Sequence, residues 1–448
     1  FPLRLSAFEE YMLGDDRSAY PMSCFLRLKF NGPLDRERFE MALRTATSRH
    51  ALLSSLVRKS GRRQFHWVPA NNQTSEVRWL EHPNPSGYPP ATHLNVQHQA
   101  GLVSHVLSNA DSFHFTMQFH HSCCDGAGAF RFLEDLLTVY ANSVGLPSER
   151  LPLPMIDEQT LPLRSSFGLT LSRCLKFIPS QMMGLLGARQ FLMRKPVPLV
   201  PHQLATTDSV PGSNYPAVLG FQFNQVETSS VLAAAHRQAV TVNDLLARDL
   251  FLALDDFRLR QRIGKDTDWL RLAIPMDLRG DWAQNLPAAN AVSLVFLDRQ
   301  RPNCGDPMRL LHGIHKEMDL IKRHQLGFTF LMSLKLRRSL PGGLASAMQK
   351  NCECMATSVL TNLGRPFANS CLPRQDGKIV VGGVVLEAVE VLAPLRPYTC
   401  ATFSLTTYAD QLSIVLHYDI RVLSQNQAED LLNTYVGFVL NSIGHTAN

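Results

Sequence analysis

The run Ser112-Phe-His-Phe-Thr-Met-Gln-Phe-His-His121 leaves its chain little conformational freedom. Phe113, Phe115, Met117 and Phe119 alternate with His114, Thr116, Gln118 and His120, the period of a strand with one buried face. Gly126 follows the run, and a helical pattern extends from about Phe130 to Tyr140. Strand, turn and helix in that order make a layered α/β unit, in which sheet and helix bury each other's apolar faces.

At 448 residues the chain fits two large domains or one double domain, at roughly 150 residues per domain. Apolar residues make up 45 % and charged residues 18 %, which excludes a disordered chain. So few charges also leave apolar area exposed. Lys and Arg exceed Asp and Glu by six (44 against 38). That excess suits a phosphate-bearing small molecule, an acidic protein or an anionic membrane surface, and is too small and scattered for nucleic acid. The nine cysteines are odd in number and show no disulfide framework, so reduced thiols in a cytoplasmic setting are expected. Cys352-Glu-Cys354 lacks a second pair at zinc-binding spacing. No run of about 18 apolar residues predicts a membrane-spanning helix. Position 1 is Phe, so the chain is read as trimmed or a fragment.

Elsewhere the pattern predicts a strand over 21–30, a helix with Phe39, Leu43 and Ala46 on its buried face, a strand over 52–58 and a loop over 70–100. Segment 167–195 is apolar and basic together, as is 328–348. Each reads either as a core-facing cover helix or as a surface lying on a membrane. The Pro-rich stretch 196–216 reads as a linker. A strand near 217–224 and a helix over 229–238 follow it. Thr241-Val-Asn-Asp244 predicts a capping box that opens a long helix. Strands are predicted near 270–275, 290–297, 379–393, 400–408 and 411–418, before a last helix capped by Ser424. The division is therefore an N-terminal half 1–195, a linker 196–216 and a C-terminal half 217–448.

The chemistry concentrates in His120-His121-Ser-Cys-Cys-Asp125-Gly126. His121 has the parity of the apolar positions, so it ends the strand on its buried face. Burial disfavours imidazolium, and a neutral imidazole is the form a general base requires. His120 faces the other side of the strand, so the two rings cannot readily share an ion, and no metal site is expected. Gly126 and Gly128 permit a tight turn with positive φ, and Asp125 within it can bond locally or pair with a distant cation.

His120-His121-x-x-x-Asp125-Gly126 resembles the signature of the CoA-dependent acyltransferase superfamily. That group includes chloramphenicol acetyltransferase, plant alcohol acyltransferases, wax ester synthases and the condensation domains of nonribosomal peptide synthetases. Leu3 to Leu13, Gly32-Pro33-Leu34-Asp35 and Arg49-His50-Ala51-Leu52-Leu53 resemble the family's opening, and Thr241 to Leu246 the start of its long C-half helix. Ile274 to Arg279 and Thr361-Asn-Leu-Gly364 resemble two later site segments. The resemblance implies an α/β pseudo-dimer of two chloramphenicol-acetyltransferase-like halves, with mixed sheets covered by helices and an active-site tunnel between the halves. It implies His121 as general base, without a covalent acyl-enzyme. Asp125 becomes a structural group paired with Arg279, and His120 and Gly126 support the site. An oxyanion donor is then needed, with Asn362 or a backbone N–H near Gly364 as candidates.

The implied reaction moves an acyl group from a thioester to a hydroxyl or amine. No bound cofactor is expected; acyl-CoA or an acyl carrier protein is the co-substrate. The partners are the thioester and a small-molecule acceptor, with an acyl carrier protein and peripheral membrane contact as further candidates. The expected compartment is the cytoplasm, with membrane association as the second reading. The Asp-Gly pair is followed by Ala127-Gly128-Ala129, where condensation domains usually carry Trp-Ser, and no D-F-G-W-G loop occurs late in the chain. Two alternatives are amide or ester formation on carrier-bound substrates, and a non-catalytic binding protein on the same fold.

Overall fold

The computed structural model of the chain describes residues 2–61, 64–70, 77–81, 87–109, 111–145, 150–169, 184, 187–201, 215–341, 343–344 and 353–444. In chain order the N-terminal elements are β1 (Leu3–Arg4), α1 (Ala7–Asp15), β2 (Ser23–Asn31), α2 (Arg36–Arg49), β3 (Ser55–Ser60), β4 (Gln64–Pro69), β5 (Val77–Glu81), β6 (Leu102–Ser108), β7 (Ser112–His120) and α3 (Gly126–Val144). Then come β8 (Ala217–Gln222), α4 (Gln225–Arg237), α5 (Val242–Arg260), β9 (Trp269–Asp277), β10 (Val292–Gln300), α6 (Pro307–Arg323) and α7 (Gly327–Ser339). The chain finishes with β11 (Ser358–Asn362), β12 (Arg374–Gln375), β13 (Lys378–Val381), β14 (Val384–Leu392), β15 (Ala401–Tyr408), β16 (Gln411–Tyr418) and α8 (Gln425–Ser442).

Two large mixed sheets organise these elements. One runs β12-β13-β14-β2-β7-β6-β5, the other β10-β9-β11-β15-β16-β8, and a small sheet β1-β4-β3 flanks the first. Each large sheet has its own core. Phe113, Phe115, Met117 and Phe119 of β7 are all buried in the first, with Phe39 and Leu43 of α2 and Phe132 and Leu136 of α3. Full burial of such side chains contributes about 1.5–3 kcal/mol each. The second core gathers Leu246, Leu250 and Phe257 of α5, Leu272 of β9, Phe403 of β15 and Tyr435 of α8.

The sheets do not respect a division at 196–216. β12, β13 and β14 come from the C-terminal part of the chain but belong to the N-terminal sheet, where β14 pairs antiparallel with β2 from Leu392↔Phe25 to Val385↔Asn31. Without β14, β2 would be an exposed edge beside β7, and Val384, Leu386, Val389 and Val391 would lose the core they enter. The strand predicted over 379–393 is two strands, β13 and β14, reversed at Gly382-Gly383, both at positive φ. The loop predicted over 70–100 holds β5, which pairs parallel with β6; its Pro- and Asn-rich flanks hide a short edge strand. Of the linker, 196–201 packs rather than hangs: the Val197 N–H donates to the Trp269 carbonyl (3.0 Å) and Leu199 is fully buried. Residues 202–214 lie outside the described set, as do Cys174, Cys352, 170–183 and 185–186 of the basic-apolar segment 167–195, and 342 and 345–348 of segment 328–348.

Capping fixes the helices that matter to the site. The Thr241 hydroxyl accepts from the Asp244 N–H, and Asp244 accepts from the Thr241 N–H, at the start of α5. Ser6 and Glu9 form the same box at α1. Glu9 also accepts from Arg164 Nε (2.6 Å), Arg164 Nη2 (3.0 Å) and Trp67 Nε1 (3.1 Å), with Glu9 and Arg164 both fully buried. One carboxylate therefore caps α1, pins it to the small sheet and neutralises a buried guanidinium. Two substitutions separate these effects in urea unfolding. Thr241→Ala should cost about 1 kcal/mol, the value of a cap. Glu9→Ala should cost about 3–5 kcal/mol, because it strands Arg164.

Candidate active site

A cavity of about 160 Å³ lies where the two sheets meet. His121, Asp125, Gly126, Arg279 and Asn362 all line it. The wall beside His121 comes from α1, whose Phe8, Tyr11, Met12 and Asp15 face the cavity at helical spacing. The far wall is Ala273, Pro275 and Asp277 of β9, with Val359, Thr361 and Asn362 of β11.

β7 ends at His120, and His121 begins the turn that leads to α3. The His121 N–H donates to the Met22 carbonyl (2.7 Å), which continues the ladder one residue past the strand. The half-buried ring stands edge-on to Phe8, with centroids 5.9 Å apart. Burial pulls its pKa below the ordinary 6.5; the nearby His121 carbonyl and the Asp125 charge oppose that shift without reversing it. Nδ1 is buried and makes no hydrogen bond of good geometry, so Nε2 is the nitrogen left to the cavity. A neutral ring with one accessible nitrogen can take a proton from a bound nucleophile.

His120 lies on the other side and is fully buried. Its Nδ1 accepts from the Ser122 N–H (3.1 Å) and lies 2.6 Å from Ser122 Oγ, while Nε2 sits 3.6 Å from Asp16 Oδ2. Asp16 also holds His93 Nε2 at 2.7 Å. His120 thus braces the strand end from behind and does not reach the cavity.

Asp125 is the N-cap of α3, and four groups converge on it. Its Oδ1 accepts from the Gly128 N–H (2.9 Å) and from Arg279 Nη2 (2.8 Å), and its Oδ2 accepts from the Ala291 N–H (2.8 Å). The Asp125 N–H faces the Ala289 carbonyl, which also accepts from Arg279. Positive φ is not what the glycines supply, since neither Gly126 nor Gly128 adopts it. Both lie in the first turn of α3. Gly128 is needed for close approach: a Cβ there would meet the Ala289 backbone at 2.8 and 2.9 Å.

The segment around 288–291 was not singled out from the sequence, yet it holds the motif from across the interface. Asn290 Nδ2 donates to the His121 carbonyl (2.8 Å) and the Ser122 carbonyl (2.9 Å). The Ala288 N–H donates to His50 Nδ1 (2.8 Å), leaving His50 Nε2 to face Asp135 Oδ2 at 3.1 Å. Burial lowers the His50 pKa, in keeping with a neutral ring that accepts at Nδ1. The available signal was Pro287-Ala-Ala-Asn290-Ala, a run of small residues that lets two backbones meet.

Asn362 lines the cavity, but Gly364 does not. The Gly364 N–H is spent on Asn362 Oδ1 (2.8 Å), so this backbone donor cannot serve an oxyanion. Asn362 Nδ2 donates to Asn243 Oδ1 (2.6 Å) with one of its two hydrogens. Cys24 also lines the cavity, where burial pushes its thiol far above its ordinary value. A thiol held neutral is a poor nucleophile. Opposite His121, Arg396 Nε pairs with Asp15 Oδ2 at 2.6 Å, and Arg396 Nη1 donates to the Tyr11 hydroxyl. Among the described residues no group of three or more His, Cys, Asp or Glu could hold a metal ion.

The fold, with open mixed sheets and a cavity between two α/β halves, is that of solved condensation domains and of a trichothecene acetyltransferase. The structure superposes on a trichothecene 15-O-acetyltransferase from Fusarium sporotrichioides with a TM-score of 0.72, at 13 % identity, over 98 % of this chain and 95 % of that one. It superposes on the first condensation domain of the calcium-dependent antibiotic synthetase, solved with a substrate analogue, with a TM-score of 0.69 at 17 % identity, over 100 % and 97 % of the two chains. In sequence it is similar to an uncharacterized protein of Mycobacterium tuberculosis, found in strains CDC 1551 / Oshkosh and ATCC 25618 / H37Rv, at 27 % identity over 265 residues. That alignment covers 56 % of this chain and 56 % of the relative, so the chain spans little more than half the length of the curated relatives it matches. No protein-family model matches the sequence.

Asp125→Ala should cost about 3–5 kcal/mol, because it leaves Arg279 and two backbone N–H groups without their acceptor. Gly128→Ala should also destabilise the chain, by forcing α3 off the Ala289 backbone. Both are read from thermal and urea midpoints. If both variants melted like the parent, the contacts at Asp125 would not be holding the halves together.

Proposed function

We propose that the chain transfers an acyl group from a thioester, acyl-CoA or acyl carrier protein, to a hydroxyl or amine, with His121 as general base. The supporting observation is the His121 imidazole, kept neutral by burial, with Nε2 open to a cavity walled by both halves. In the proposed reaction Nε2 accepts the acceptor's proton as its oxygen or nitrogen attacks the thioester carbonyl. The tetrahedral intermediate collapses, the C–S bond breaks, and the departing thiolate takes the proton back from His121. Asn362, through the Nδ2 hydrogen not given to Asn243, is the side-chain candidate for the oxyanion. No covalent acyl-enzyme is needed, and the neutral Cys24 thiol offers no ready path to one.

Both substrates would meet at one imidazole, so proximity supplies part of the rate and base catalysis about 10²- to 10⁴-fold. A second reading is amide or ester formation on carrier-bound substrates, favoured by the overlap with a condensation domain. A non-catalytic binding protein is the third, and the open Nε2 speaks against it. Small-molecule thioester and acceptor are the proposed partners under the first two, and no resident cofactor is invoked.

The test is release of free thiol from acyl-CoA in the presence of a mixed pool of alcohols and amines. His121→Ala should fold like the parent and lose about 10²- to 10⁴-fold in rate. Thiol release only with an acylated carrier protein would select the second reading, and none with either donor the third. The pH profile gives a second check. Because burial places the His121 pKa below 6.5, the rate should hold as pH falls through 6.5 and decline only below it. A midpoint at or above 6.5 would assign the base elsewhere.

A further inference from the structure

Two stretches of the chain contain no acidic residue: 159–207, between Glu158 and Asp208, and 320–352, between Asp319 and Glu353. They hold 12 of the 44 Lys and Arg and none of the 38 Asp and Glu, so the rest of the chain, with 32 basic residues, is net acidic by six. The charge of +6 is therefore an average over stretches of opposite charge balance. One of the twelve, Arg164, is buried against Glu9 and is not part of any surface.

The fold brings the described parts of the two stretches together over β10. Phe191, in the helical residues 187–193, meets Phe296 of β10 at 4.8 Å, and Phe296 meets Phe330 of α7 at 5.7 Å. A Cβ on Gly184 would meet Thr329 Oγ1 at 2.4 Å, so the first stretch lies directly against α7. The outward faces are apolar. Leu192, Met193 and Leu336 are 74, 68 and 66 % exposed, and Met332 is 51 % exposed. Cations stand beside them in sequence: Arg194-Lys195 follow Met193, and Lys335 and Arg337 flank Leu336. Lys195, Lys335 and Arg337 are exposed. Among the described residues, Lys195 pairs with Glu353 at 3.5 Å, an exposed and weak contact.

We propose that this face, formed by 187–195 and α7, docks on an anionic phospholipid bilayer. Its apolar side chains would enter the boundary between headgroups and acyl chains, and its cations would meet the lipid phosphates. In both helices large exposed apolar side chains are interspersed with cations, directly adjacent in sequence at Met193 and Leu336. That is the arrangement of an interfacial helix, whereas a protein–protein patch keeps charge out of its apolar centre. The face also lies close to the cavity. α7 packs on α1 through Phe330 and Tyr11 (5.5 Å), and Arg338 Nη1 donates to the Leu5 carbonyl and to Glu10 (both 3.3 Å), while Tyr11 with Phe8, Met12 and Asp15 of α1 lines the cavity. Delivery of an amphiphilic substrate from the bilayer rests on the acyl-transfer reading; the docking itself does not.

The experiment is co-sedimentation of the full chain with sucrose-loaded vesicles. One set is phosphatidylcholine alone, the other an equimolar mixture with phosphatidylglycerol. The expected result is partition to the mixed vesicles that is about tenfold or more stronger than to phosphatidylcholine and is lost at high salt. L192S/M193S/L336S and K335Q/R337Q should each weaken it several-fold, with far-UV spectra and melting midpoints unchanged. No sedimentation with mixed vesicles, equal partition to both sets, or folded variants that bind like the parent would overturn the proposal. Capture by an acylated acidic carrier protein, without vesicle binding, would overturn it too and give the face to a protein partner. Vesicle binding without thiol release from any donor would leave the docking standing and defeat only the acyl-transfer reading.

Discussion

The Asp125 carboxylate is where the two halves of the molecule become one. It caps α3 in the N-terminal half and accepts from Arg279 and the Ala291 N–H in the C-terminal half. A buried ion pair is weak grounds for net stability, because desolvation consumes much of the Coulomb gain. What this one supplies is position. An Asp with its oxygens engaged by the Gly128 and Ala291 N–H groups and a guanidinium has one low-energy arrangement, and that arrangement fixes the turn from His121 to Gly126. Asn290 then takes up the carbonyls of His121 and Ser122. The His121 imidazole is held by its backbone, and Nε2 makes no hydrogen bond to the described residues.

The same enclosure sorts the titratable groups around the cavity. Burial lowers the imidazole of His121 and raises the thiols of Cys24, Cys123 and Cys124, so each is neutral near pH 7. Neutrality has opposite consequences for the two kinds of group. A neutral imidazole retains a lone pair and can accept a proton; a neutral thiol has lost the anion that makes it a nucleophile. One physical cause, desolvation by burial, leaves His121 with its lone pair and the three thiols without their anion.

Much of this was legible in the sequence, for reasons that particular residues make plain. Strict alternation from Phe113 to Phe119 marks a strand, although both of its faces are buried, with Thr116, Gln118 and His120 as enclosed as the apolar positions, and Thr241-x-x-Asp244 has few uses other than a capping box. Features that depend on distant partners were not legible. Nothing local tells β14 that its neighbour is β2, some 360 residues earlier (Leu392 pairs with Phe25), because an apolar alternation states that a face is buried but not against what. Asn290 has no periodic context, and its role exists only once β9 and β10 have carried it to the motif. The glycines were placed correctly and explained wrongly. A turn needing positive φ and a helix start pressed against a foreign backbone both demand glycine, and only the position of Ala289 separates them. Gly364 is a similar case: the loop is where it was expected, but an Asx turn has already used its N–H.

The crossing of β14 also bears on how the two halves are joined. β14 belongs to the N-terminal sheet, yet the chain continues through Val391, Leu392 and Ala393 along the cavity wall and enters β15 of the other sheet by way of Arg396. Arg396 is bound back to Asp15 at the end of α1. The halves are therefore joined by two buried ion pairs, Asp125–Arg279 and Asp15–Arg396. Separating them as a hinge would return both carboxylates, each almost wholly withdrawn from water, to solvent, so that hydration offsets much of the Coulomb energy lost. What the two pairs supply is a fixed register between the halves rather than a large net stability.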